Sequence, residues 1–207
     1  MTPNLTRRAV FLSASFPSGE RGKAFEPYDA GAISDAVSAY VRVVLSGGDS
    51  LVFGGHPTIT PLVLLVAGEV GVREKVIIYQ SRWFANAITP ETYRLEELGL
   101  GTIRWVESGE DLEESLASLR ETMLQEVELL GGAFVGGMKG ILTEFEMFRE
   151  LWGGKPALPV VAPGGAARQL MEKAADVLPD NLIADLETER YPELFFAFMQ
   201  AIRSAAE

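Results

Sequence analysis

The chain has 207 residues, with 18 Lys and Arg against 29 Asp and Glu, a formal net charge of −11, 47% hydrophobic residues, 21 Gly, 11 Pro and no Cys. That composition is globular rather than disordered, fits one domain over residues 1–207 that buries its own core, and lacks the thiols of a disulfide scaffold or thiolate metal site. The acidity argues against nucleic acid as a partner, no apolar run is long enough to cross a bilayer, and Met1–Arg8 lack the apolar core of a signal segment, so a cytoplasmic protein without a membrane partner is expected.

In chain order, apolar runs of strand type alternate with helical patterns. Ala9–Ala14 reads as the first strand. A polar loop over 15–28 leads to a helix from Ala30 to Leu45. Leu51–Phe53 is a second strand, broken by Gly54-Gly55-His56-Pro57 before a helix from Thr58 to Glu69. Lys75–Gln80 and Thr102–Val106 read as the third and fourth strands. A long amphipathic helix is expected over Asp111–Leu130, with Leu112, Leu116, Leu119, Met123 and Val127 on one face. Ala133–Val135 is a fifth strand, followed by a helix over Thr143–Trp152, and Leu158–Ala162 is a sixth. Helices near 166–177 and 190–205 complete the chain. This alternation predicts an α/β fold, a Rossmann-like three-layer sandwich with a mostly parallel sheet. Ligands in such sheets bind beyond the carboxyl ends of the strands.

Three strands exit into paired glycines, Gly54-Gly55, Gly136-Gly137 and Gly164-Gly165, each before a helical segment. Glycine lets a ligand approach backbone N–H groups, and a helix start favours an anion. Such pairs also end strands for steric reasons alone. Ser13 and Ser15 close the first strand with hydroxyls suited to a phosphate or to strand-end hydrogen bonding. Arg21 lies in the 15–28 loop near Lys23, as a ligand cation or a solvated charge. His56 suits base stacking or a phosphate, against a structural role. It has no partners at metal-ligand spacing, so no metal and no cofactor are expected. Gln80-Ser81-Arg82-Trp83-Phe84 suits a base or sugar, with Ser81 and Arg82 as its polar candidates and the two aromatics as packing. Phe145, Met147, Phe148 and Trp152 form a helical stripe that is buried or faces a subunit.

The segment Gly136-Gly137-Met138-Lys139-Gly140, with Thr143 and Glu144 on the helix that follows, has the residues of a phosphate-and-ribose cradle. It resembles the loop of the LOG phosphoribohydrolase and lysine-decarboxylase-like family, Pro-Gly-Gly-x-Gly-Thr-x-x-Glu, within the SLOG (DprA/LOG-like) superfamily. Arg120, 16 residues before Gly136, stands where that family has an arginine. The resemblance implies that Arg120 binds phosphate or assists N-glycosidic cleavage and that Glu144 faces the ribose. Val135 replaces the proline, Gly140-Ile141 replaces Gly-Thr, and one extra residue separates Gly137 from Gly140. Such an insertion turns Glu144 by about 100° around its helix unless the loop absorbs it. Phe11–Pro17, Phe53–Pro57 with Thr60-Pro61, Gly136–Gly140 and Gly164–Ala167 together resemble a bacterial SLOG branch of conflict and defence systems.

That resemblance implies a binding module for a nucleotide-derived small molecule, of the ADP-ribose type or another nucleotide signal. Its output would pass through a homo-oligomer, a dimer or higher, or an effector protein from the same operon. The alternative is a nucleoside 5′-monophosphate phosphoribohydrolase with Arg120 and Glu144 as its catalytic pair. A third reading is a non-catalytic oligomerisation or partner module, suggested by the acidic helix and the aromatic stripe.

Overall fold

The six strand segments form one sheet, paired in parallel throughout, in the order β4-β3-β2-β1-β5-β6. They are β1 Ala9–Ser15, β2 Ser50–Gly54, β3 Val76–Ser81, β4 Gly101–Val106, β5 Leu129–Gly136 and β6 Ala157–Val160. The computed structural model describes residues 8–176 and 178–205. The N-terminal segment through Arg7, and residue 177 of the helix expected over 166–177, lie outside that range.

β3 and β5 are buried along their whole length, as a parallel sheet covered on both faces requires. The edge strand β4 keeps Arg104 exposed. The larger helices are α2 Ala30–Ser46, α3 Thr60–Val70, α4 Pro90–Glu97, α5 Leu112–Gln125, α6 Lys139–Leu151 and α9 Tyr191–Ser204. α2 packs on α3 and α9, α3 packs on α4, and α5 packs on α6. Right-handed crossovers explain this grouping: the steps from β1 to β4 put α2, α3 and α4 on one face, and the return to β5 puts α5 and α6 on the other. The result is a Rossmann-like three-layer sandwich. Its strand order reverses direction at β1, whose neighbours are β2 and β5. A crevice opens at such a reversal, beyond the carboxyl ends of the strands.

The aromatic stripe of α6 turns inward. Phe145 and Phe148 are buried, with Phe145 edge-on to Phe134 at 5.0 Å and Phe148 stacked on Phe11 at 6.2 Å. Trp152 Nε1 donates to the Leu124 carbonyl at 2.9 Å and ties α6 to α5. These contacts anchor the helix that carries Glu144.

Several boundaries differ from expectation. The 15–28 loop holds a short helix, α1 Gly19–Gly22, and a 3₁₀ turn at Lys23–Phe25. α5 stops at Gln125 rather than Leu130, because Leu129 pairs with Ala9 at the start of β5. α6 begins at Lys139, four residues before Thr143. The segment near 166–177 is a 3₁₀ turn, Ala166–Leu170, followed by α7 Met171–Ala174. α4 and a short α8, Asp180–Ala184, complete the set. Among the described residues no helix is long and apolar enough to cross a membrane.

Candidate functional site

A cavity of about 370 Å³ opens beyond the carboxyl ends of β1, β2 and β3, between α5, α6 and the segment 84–92. Its volume lies within the range of small-molecule sites. Ser13, Ser15, Gly54, Gly55, His56, Arg120, Gly140 and Glu144 all line it.

Glu144 is the electrostatic centre. Its Oε1 lies 3.4 Å from Arg120 Nε, and its Oε2 accepts the Ser13 hydroxyl at 2.6 Å. The Arg120 and Glu144 side chains are each 19% exposed. Burial raises the Glu144 carboxyl above its usual range, and the Ser13 hydrogen bond and the Arg120 charge oppose that rise. The residue inserted before Gly140 does not swing Glu144 away. In the turn before it Gly137 adopts φ +74° and Met138 is extended ahead of α6. A Cβ at Gly140 would stand 3.3 Å from an Arg120 terminal nitrogen.

The glycine pairs do different work. Gly165 (φ +74°) presses on Gly136, where an added Cβ would lie 2.7 Å from the Gly136 carbonyl carbon. The Gly137 N–H donates to the Ser15 carbonyl at 2.7 Å, and the Gly164 and Gly165 N–H groups donate to Val161 and Pro27. Gly136, Gly137, Gly164 and Gly165 therefore join β1, β5 and the loop after β6 to one another, and none of the four lines the cavity. Gly54 and Gly55 do line it, although the Gly55 N–H already reaches the Tyr79 carbonyl at 2.9 Å.

His56 lies just ahead of α3, whose N-cap is Ile59. Its carbonyl accepts from the N–H groups of Ile59 and Thr60, and its Nδ1 accepts the Thr58 N–H at 3.3 Å. Burial lowers its pKa and favours the neutral ring.

The remaining candidates lie off the cavity lining. Ser81 is buried and accepts the Trp83 N–H at 3.2 Å. Arg82 sits 4.5 Å over Trp105, with its Nε 3.7 Å from Glu107. Thr143 donates to the Lys139 carbonyl one turn back. Met138 precedes α6, and Lys139 and Arg21 are exposed. Among the described residues no cluster of three or more His, Asp or Glu is placed to hold a metal.

Of the Gln80–Phe84 segment, Gln80, 5% exposed, and Phe84 line the cavity. So do Ile88, Thr89 and Thr92 around the start of α4, which strand ends do not point to. A helix-start signal was available there, Thr89 followed by Pro90 at the first helical position. Leu116 and Leu119, expected on the core face of α5, form another side of the cavity.

A family model described as the SLOG cluster3 family matches residues 24–199. No curated protein matches the chain.

Proposed function

We propose that this chain, which belongs to the SLOG cluster3 family, binds a nucleotide-derived small molecule in the cavity at the carboxyl ends of β1–β3. Family membership points to a nucleotide-related role. The observation that carries the reading is the Ser13–Glu144–Arg120 cluster at one end of an otherwise mostly apolar cavity. The carboxylate accepts hydroxyl protons and the arginine donates, which suits a ribose. The apolar sides and the Gln80 amide suit a base. The readout would be sensing in a bacterial defence system, through a homo-oligomer or an effector protein. Calorimetry with nucleosides, nucleotides, ADP-ribose and cyclic ADP-ribose isomers tests it. Saturable binding is expected, and Glu144→Ala should weaken it at least about tenfold. A folded sample that binds none of these at millimolar concentration overturns the reading.

A second reading, hydrolysis of a nucleoside 5′-monophosphate, is favoured by the raised Glu144 carboxyl beside Arg120. A carboxyl lifted toward neutral pH is a better proton donor to a leaving base. Incubation with monophosphates should then release free base, and Glu144→Gln should abolish the release.

A further inference from the structure

We infer that Gln80 is the residue that decides which base the cavity accepts: the ligand lies across the strand ends, with its sugar and phosphate at α6 and its base edge on the Gln80 carboxamide. The inference rests on the reading of the cavity as a nucleotide-derived ligand site and adds to it a specificity-determining residue.

The first observation is a missing partner. Three buried polar side chains line the cavity, Ser13, Gln80 and Thr92. Ser13 donates to Glu144 at 2.6 Å, and Thr92 Oγ1 lies 3.5 Å from Thr89 Oγ1. Gln80 is 95% buried, and among the described residues no hydrogen bond reaches its carboxamide. An enclosed amide without partners is costly, and a ligand that bonds to it removes that cost. The amide lies across Gly55, its Oε1 2.1 Å from where a Cβ of residue 55 would stand.

The second observation is the separation of the two polar ends. Arg120 meets Glu144 through Nε, which leaves its terminal nitrogens, one of them 3.3 Å from where a Cβ of Gly140 would stand. The N–H groups of Met138, Lys139 and Gly140 have no acceptor among the described residues. Charge and free donors thus gather at α6, the end suited to sugar and phosphate. β1, β2 and β3 are neighbours in the sheet, so the ends of β1 and β3 stand about 10 Å apart. A ribose and its base extend over a comparable length, which carries the base edge to Gln80.

The third argument concerns discrimination. Ile59, Phe84, Leu116 and Leu119 offer apolar surface to the faces of a ring, and such surface takes every base alike. His56 keeps its Nδ1 on the Thr58 N–H. Gln80 supplies the one carboxamide of the lining, with donors beside an acceptor. Bases differ in the order of donors and acceptors along their edges, and a mismatched edge leaves buried groups unpaired on both sides.

Calorimetry would compare the 5′-monophosphates of adenosine, guanosine, cytidine and uridine with one another, and ADP-ribose with GDP-ribose. In the parent protein the tightest and weakest members of a series that binds should differ about tenfold or more. In Gln80→Leu, with folding checked by thermal melting, that difference should shrink to about threefold or less. Glu144→Ala should weaken all members alike and keep their order. A parent protein that binds the bases equally, or a folded Gln80→Leu that keeps the parent's preference, overturns the inference and leaves the broader reading standing. If no member of either series binds, the broader reading fails and this inference with it.

Discussion

Arg120 and Glu144, 24 positions apart on adjacent helices, meet at 3.4 Å over the crevice beside β1. Ser13, from the end of β1 itself, takes the other carboxylate oxygen at 2.6 Å. Strand, helix and helix thus converge on one group. The carboxylate is mostly desolvated, so its charge depends on those two partners.

Removing the cation should therefore be costly. Breaking a fully buried pair costs about 3–5 kcal/mol. With a fifth of each side chain exposed, Arg120→Leu is expected to lose about 2 kcal/mol by urea denaturation. The double variant Arg120→Leu/Glu144→Gln should recover part of that loss, because no buried charge is left behind. A double variant less stable than Arg120→Leu would contradict this.

The same pair sets a pH dependence. Burial holds the Glu144 carboxyl above its usual value, so the folded protein binds this proton more tightly than the unfolded chain. The stabilisation is complete below the ordinary glutamate pKa of about 4.3. It is lost as pH rises through the raised folded value. Glutamine cannot titrate. The stability of Glu144→Gln relative to the parent should therefore grow as pH rises from about 4, then level off. Thermal melts of both proteins across that range measure it, and a difference that shrinks with rising pH would refute it.

Two glycines with left-handed backbone separate strain from contact. Gly48 has φ +81° with open space around it, whereas Gly165 has φ +74° and faces the Gly136 backbone at 2.7 Å from a built Cβ. Gly48→Ala should cost about 1 kcal/mol. Gly165→Ala should cost clearly more, because backbone meets backbone and neither can rotate aside. Equal losses in chemical denaturation would show that this junction yields.

Gly55→Ala tests the position of Gln80. The added Cβ would displace the far end of the flexible Gln80 side chain and also stand 3.1 Å from Cγ2 of the buried Ile78. Stability should fall by about 1 kcal/mol, while affinity for the nucleotide-derived ligand drops about tenfold as the amide leaves its place. Melting and calorimetry on one sample separate the two effects, and unchanged affinity would count against the role of the amide.

Much of the fold is legible in the sequence. Short runs such as Leu51–Phe53 and Lys75–Gln80, closed by glycine or by polar residues, read as strands, and both enter the sheet. The end of α5 is not legible, because Val127 and Leu130 continue an apolar rhythm past Gln125. The chain leaves the helix there because β5 completes the pairing of β1, a gain that helical periodicity does not register. α4 is obscured for the opposite reason: its residues are mostly polar, and only Thr89-Pro90 marks its start.

The site divides along the same line. The sequence by itself determined which positions have special backbone freedom or charge: the glycine pairs, Arg120 and Glu144. The tertiary structure decided what each one meets. The carbonyls of Ser15, Pro27 and Val161 reach the N–H groups of Gly137, Gly165 and Gly164. The inserted residue leaves Glu144 still facing Arg120. Gln80 enters the cavity because Gly55, on the loop after the neighbouring strand, has no side chain to stop it. Spacing along a chain reports local geometry. Which distant carbonyl or charge arrives first follows from the crossovers, and those exist only once the sheet has closed over its core.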